Sequence, residues 1–299
     1  MGDKSKIEWT DSTWNPVTGC TKVSAGCKYC YAERLWPRMG TGRPFTEVQC
    51  HPERLEIPMH WRKPRRIFVN SMSDLFHEGL DPDFIARVYA IMARCPQHQF
   101  QVLTKRPLMR RNLFGTITWV ARVRDYAAIT YGTGAWMPDF WPLKNVWAGV
   151  SVEDQATADE RIPLLLDTPA ALRFVSYEPA LGPVDLTQLV EVNGVALNAL
   201  PHGVTRTQCL DWVIAGGESG PGARPAHPKW FRGVRDQCAA AGVPFFFKQW
   251  GEWRPTQRRD SAIARDQIIL EPGHYDMVRV GKRAAGRLLD GRTHDEAPE

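Results

Sequence analysis

The stretch NVWAGVSVEDQATADERIPLLLDTPAALRFVSYEPAL (145–181) decides the fold. It opens and closes on unbroken apolar runs, NVWAGVSVE (145–153) and LRFVSYEPAL (172–181). A helix-length segment, Asp154 to Asp167, lies between them and ends on Leu164, Leu165 and Leu166 before Pro169. A strand with one wet face alternates in polarity, whereas a continuously apolar strand is covered on both faces. Strand, helix and strand at this spacing make a βαβ unit, and such units build a parallel sheet.

The same rhythm continues in both directions. Upstream, RIFVNSM (66–72) and FQVLTKRP (100–107) read as strands. Between them, DPDFIARVYAIMARC (81–95) reads as a helix with Asp81 as N-cap and Pro82 at its first position. Phe84, Val88, Ile91, Met92 and Cys95 then recur at helical spacing. A basic segment with Arg106, Arg110 and Arg111 begins the next helix. Downstream, DWVIAGGESG (211–220) and VPFFFKQWG (243–251) are strands around a helix, HPKWFRGVRDQCAAAG (227–242), framed by Pro228 and Gly242. A short first strand or extended lead-in falls within 1–19. The expected fold is α/β, a partial (β/α)6 TIM-like barrel over 1–251. An aromatic insertion at about 115–143 and a basic C-terminal extension at 252–299 interrupt the rhythm.

Bulk properties narrow the class. A chain of 299 residues with 43% apolar content supports a sizeable core. The net charge of +5 permits a phosphate-bearing partner without demanding one. No apolar leader and no long apolar run are present, so neither a signal peptide nor a membrane span is expected. Seven cysteines is an odd number, which suits a reducing cytoplasm better than a disulfide framework.

Three of those cysteines cluster in GCTKVSAGCKYCY (19–31), spaced C-x6-C-x2-C at Cys20, Cys27 and Cys30. The segment YAERLWPRM (31–39) follows as a helix, on the spacing of Tyr31, Leu35 and Met39. Three thiolates in one loop can hold a metal but leave a four-ligand site one short. A structural zinc needs a fourth ligand, and Cys50, His51 and His60 lack knuckle spacing. Unligated structural cysteines are a further alternative. The pattern favours a [4Fe–4S] cluster with one iron left open for a substrate or cofactor, a position that the amine and carboxylate of S-adenosylmethionine can chelate.

In an α/β barrel the reactive groups gather at the C-terminal strand ends. There the sequence places Asn70, Ser71, Ser73 and Asp74, then Lys105, Ser151 and Glu153, then Glu178, Gly216-Gly217-Glu218 and Lys248. Lys105, Glu178, Glu218 and Lys248 are the candidate catalytic groups on the substrate side. Gly216 and Gly217 let backbone approach a ligand closely.

These residues resemble two families. CKYCYA (27–32) is similar to the cluster motif of the radical S-adenosylmethionine superfamily, which also has a partial (β/α)6 barrel. This chain departs from the superfamily's usual C-x3-C-x2-C in its first gap. IEWTDSTWNPVTGC (7–20), NSMSDLFH (70–77), LTKRP (103–107), SYEPALGP (176–183) and VIAGGESGPGARP (213–225) resemble a phage- and prophage-associated three-cysteine family of DUF5131 type. The superfamily resemblance implies that Ser71, Ser73 and Asp74 contact the cofactor's methionyl group and that Val213 to Gly217 border its adenine. The family resemblance implies a separately encoded partner protein.

Basic segments 62–66, 105–111 and 254–265 interleave with Trp61, Trp250 and Trp253, which suits a DNA or RNA substrate. Base modification or lesion repair, driven by an external one-electron reductant, is the expected reaction. The rival reading is a non-catalytic nucleic-acid- or partner-binding protein with a structural zinc or cluster.

Overall fold

The computed structural model describes residues 5–39, 42–131, 141–190, 194, 196–201, 208–256, 267–271 and 275–298. Its main sheet has seven strands: β1 Ser12–Trp14, β2 Arg66–Val69, β3 Gln99–Thr104, β4 Val146–Val152, β5 Leu172–Tyr177, β6 Trp212–Gly216 and β7 Phe245–Gln249. Sheet order and chain order coincide. The pairs β1/β2, β2/β3, β3/β4 and β6/β7 are parallel. This is a mixed α/β protein compatible with a TIM-like α/β fold. Helices follow the strands: α1 Tyr31–Leu35, α2 Pro82–Arg94, α3 Pro107–Phe114, α4 Trp119–Tyr131, α5 Gln155–Leu166 and α6 Pro228–Ala241.

The chain divides into two compact units. The first comprises 1–23, 32–150 and 164–174, and the second 24–31, 151–163 and 175–299. In the first unit Ile67, Phe100 and Val146 stand in register across β2, β3 and β4. They share one buried cluster with Phe84, Val88, Ile91 and Met92 of α2. Each such side chain contributes about 1.5–3 kcal/mol by leaving water. Phe68, Gln101 and Trp147 form the next register row, where pleating turns side chains to the opposite face. Trp9 packs on Phe68 there, ring centroids 4.8 Å apart.

Helix α2 starts as its sequence requires. The Asp81 carboxylate accepts from the Asp83 N–H at 2.9 Å, and Pro82 occupies the first turn. The aromatic stretch after 115 packs on the core where it is described. Helix α4 stacks Trp119 on Phe114 at 5.1 Å and sets it against Tyr89 at 5.6 Å, within the α2 core. The rest of that expected insertion, 132–140, lies outside the described residues.

In the second unit, Phe231 of α6 packs on Phe247 and Trp250 at 5.0 and 5.3 Å. Helix α6 is capped by His227, whose Nδ1 accepts from the Lys229 N–H, and ends at Gly242 with φ +67. After β7 come β8 Trp253–Thr256, β9 Gln267–Glu271 and β10 Tyr275–Arg279, an antiparallel sheet ordered β8-β10-β9. Most of the basic segment 254–265 lies outside the described residues.

The segment 31–39 is a correction to periodicity. Helix α1 stops at Leu35, and Trp36–Met39 tighten into a 3-10 turn. Pro37 lacks the N–H that an α-helix would use. Tyr31, Leu35 and Met39 are exposed, while Ala32 and Trp36 are buried. Among the described residues, no helix is long and apolar enough to cross a membrane.

Candidate functional site

Cys20 follows Gly19, where a Cβ would overlap the Glu47 carbonyl and whose φ of +86 favours glycine. The Cys20 thiol is half-buried. Arg106, from the turn between β3 and α3, is almost fully buried and sends Nη1 to the Cys20 Sγ at 3.5 Å. Its Nη2 donates to the Thr21 carbonyl at 3.1 Å and to the Thr21 Oγ1 at 2.8 Å. Its Nε donates to both oxygens of Glu78, and Nη1 also lies 3.5 Å from Asp74. Burial disfavours the guanidinium charge, but Asp74, with Cys20 and Glu78, more than offsets this, so its pKa is raised.

Asp74 gathers the surrounding strand ends. It accepts from the Thr104 hydroxyl at 2.7 Å, from the Lys105 N–H at 2.9 Å and from the Phe76 N–H at 3.0 Å. Asn70, with φ 62, turns the chain out of β2, a conformation that Asn tolerates better than most residues. Beyond it, Ser71 donates to the Asn15 side chain and Ser73 to the Val17 carbonyl. His77 Nδ1 accepts from the Gly79 N–H, so Nε2 carries the proton and donates to the Thr21 hydroxyl at 2.8 Å. Burial and Arg106 lower its pKa, which disfavours the imidazolium.

Cys27 and Cys30, also half-buried, belong to the second unit. Ser24 stands between Cys27 and a buried ion pair. Its hydroxyl donates to Glu153 Oε1 at 3.0 Å and lies 3.8 Å from the Cys27 Sγ. Arg161 of α5 pairs with Glu153 at 3.1 Å and donates to the Ser151 carbonyl at 2.8 Å. Gly26 sits so close to Glu153 that a Cβ there would overlap the carboxylate.

The remaining predicted residues divide into two groups. Glu178 and Lys248 come together: Lys248 Nζ lies 2.8 and 2.9 Å from the two carboxylate oxygens. Gln249 bridges Glu178 Oε1 and the Gly217 carbonyl at 3.3 and 3.0 Å. Ser151 donates to the Glu178 carbonyl, and Gly216 leaves room for the Glu178 carboxyl. Glu218, also of the second unit, takes another partner. Both of its oxygens are engaged by Arg224, at 2.6 and 2.8 Å. Gly217 is required by a close backbone crossing, since a Cβ there would overlap the Trp250 carbonyl. Lys105 is placed through its backbone N–H to Asp74.

Sequence reasoning left Arg106, Arg161, Arg224 and Ser24 without roles. Arg106 and Glu153 were visible as polar strand-end groups, but their loop contacts span 86 and 129 residues. No local pattern reports such a contact.

Cysteine thiols are the donors that an iron–sulfur cluster takes, as they are for zinc. All three sulfurs are free thiols in one loop, with a buried cation directed at Cys20 and a hydroxyl beside Cys27. Among the described residues, no three His, Cys, Asp or Glu side chains are already gathered around a metal position. Metal binding and local ordering are coupled, so the ligands need not be gathered beforehand.

The sequence pattern of DUF5131, described as a protein of unknown function, matches residues 4–298, and the chain belongs to that family. No curated protein and no solved structure matches it.

Proposed function

We propose that this DUF5131 chain is a radical S-adenosylmethionine enzyme on a partial (β/α)6 barrel, with Cys20, Cys27 and Cys30 as ligands of one [4Fe–4S] cluster. The observation that carries the reading is the buried guanidinium of Arg106, 3.5 Å from the Cys20 sulfur. A cation in a dry site favours anionic sulfur and serves a thiolate ligand better than a plain buried thiol. When bound, the cluster supplies the one-electron reduction that cleaves S-adenosylmethionine to a 5′-deoxyadenosyl radical. The chain's own part is to hold the loop and exclude water. Lys248 and Glu178 offer a paired charge for orienting a polar substrate.

A nucleic-acid substrate belongs to this reading. Arg65 lies over the Trp61 ring at 4.7 Å, with Arg62 and Lys63 exposed beside it. That combination suits base stacking and phosphate contact. It lies at the N-terminal end of β2, opposite the strand end that carries Asp74, so it would hold a flanking strand rather than the reacting base.

Anaerobic reconstitution with iron and sulfide tests the proposal. The expected result is four irons per chain, and 5′-deoxyadenosine on reduction with S-adenosylmethionine. Cys27→Ala should lose both. Stoichiometric zinc with no 5′-deoxyadenosine would refute the reading and favour a structural metal.

A further inference from the structure

The segment GGESGPGARP (216–225) carries Glu218, expected from the sequence on the substrate side, yet the contacts of Glu218 and Arg224 lead to the thiol loop. Glu218 is buried and grips Arg224 three times, through both carboxylate oxygens and through the Arg224 backbone N–H at 2.8 Å. So held, Arg224 reaches the thiol loop. Its Nη2 donates to the Ala25 carbonyl at 3.0 Å, and its guanidinium lies over the Tyr29 ring at 5.4 Å. Gly222, with φ +77, lies under that same ring, where a Cβ would come within 2.7 Å of it. The 216–225 loop therefore touches the chain on both sides of Cys27, and Tyr29 directly precedes Cys30.

The loop is itself anchored. The Glu252 N–H donates to the Glu218 carbonyl at 3.0 Å, and the Gly220 N–H to the Glu252 carboxylate at 2.8 Å. The Trp253 indole donates to the Ala223 carbonyl at 2.7 Å. An arginine fork that is pre-formed by one carboxylate loses little entropy when it makes its next contact.

We infer that residues 216–225 are a positioning clamp that sets Cys27 and Cys30, with Glu218 and Arg224 as its jaw rather than as groups that touch substrate. The inference assigns a role beside the proposed cluster site and takes the function of the thiols from that reading, while the contacts it uses are made by this chain's own atoms. It predicts that the thiol segment opens locally when the jaw is cut.

The test uses the full-length metal-free protein. Alkylation of Cys20, Cys27 and Cys30 by iodoacetamide is followed peptide by peptide in wild type, Arg224→Ala, Arg224→Lys and Glu218→Gln. Losing a hydrogen bond to a charged group makes local opening about tenfold more frequent. Alkylation of Cys27 and Cys30 should therefore rise about tenfold in Arg224→Ala. Cys20 should stay unchanged, while the thermal midpoint falls because Arg224→Ala strands the buried Glu218 carboxylate. Arg224→Lys should give a smaller rise, because an ammonium cannot serve Glu218 and Ala25 together in fork geometry. Equal acceleration at all three cysteines would show general loosening and overturn the inference. No acceleration at Cys27 and Cys30 would do the same. Wild type that takes up no iron would sink the cluster proposal while leaving this result standing, so the two failures are distinguishable.

Discussion

The Glu153–Arg161 pair gives the sharpest stability prediction. Both side chains are out of solvent, at 0% and 2% exposure, and their closest approach is 3.1 Å. Removing one partner of such a pair strands a buried charge, which costs about 3–5 kcal/mol. Arg161→Met should fall in that range. Glu153→Gln keeps one oxygen, which at the Oε1 position can accept from both Ser24 and Arg161, so it should cost somewhat less, about 2–3 kcal/mol. The double variant removes both charges, and its cost should not exceed that of Arg161→Met alone. The coupling is then at least about 2 kcal/mol. The assay is urea unfolding of all four proteins at one pH, followed by tryptophan fluorescence, with the denaturant slopes compared. An Arg161→Met cost below about 1 kcal/mol, or simple additivity in the double variant, would refute the assignment of a buried, mutually dependent pair.

Three other outcomes follow from the same geometry. Asp290 accepts from Arg232 and Arg235, and Arg232 foremost holds its pKa down at about 2 from 3.8. Its contribution is thus present above pH 3.8 and lost as pH falls toward 2, so acid titration of Asp290→Asn should show a shallower stability loss in that window. Arg110 is wholly buried, its Nε and Nη2 have no hydrogen-bond partner, and burial lowers its pKa to about 10. Arg110→Met should therefore change unfolding free energy by less than about 1 kcal/mol or stabilise the chain. A Cβ on Gly149 would overlap the Phe174 ring, so Gly149→Ala should cost about 1–3 kcal/mol, and Phe174→Leu in the same chain should recover part of it in thermal melts.

Much of the fold was legible because the sheet is covered on both faces. Continuous apolar runs marked the strands within a few residues, and Asp81, Pro82 and Gly242 marked helix ends by their own chemistry. Apolar spacing misled at Tyr31, Leu35 and Met39, which point to solvent while Trp36 is buried. Periodicity detects which residues share a face but not which face is covered. The site was legible as a set of strand-end polar groups. Its pairing was not, because Glu178 and Glu218 are alike in sequence position yet take Lys248 and Arg224 respectively. Which cation reaches which carboxylate is settled by tertiary packing alone.

The placement of the loop's anchors has a consequence in time. Cys20, Cys27 and Cys30 are made before each of the groups that anchor them. Arg106, which meets Cys20, comes later; Glu153, behind Ser24, comes later still; and Glu218 and Arg224, which hold Ala25 and Tyr29, come after both. The first four strands can pair in the order they leave the ribosome, each on the one before it. The thiols nonetheless wait for most of the chain before their surroundings are complete. A truncated chain ending before Arg224 would keep Arg106 at Cys20 and Glu153 behind Ser24 but would lack the contacts to Ala25 and Tyr29.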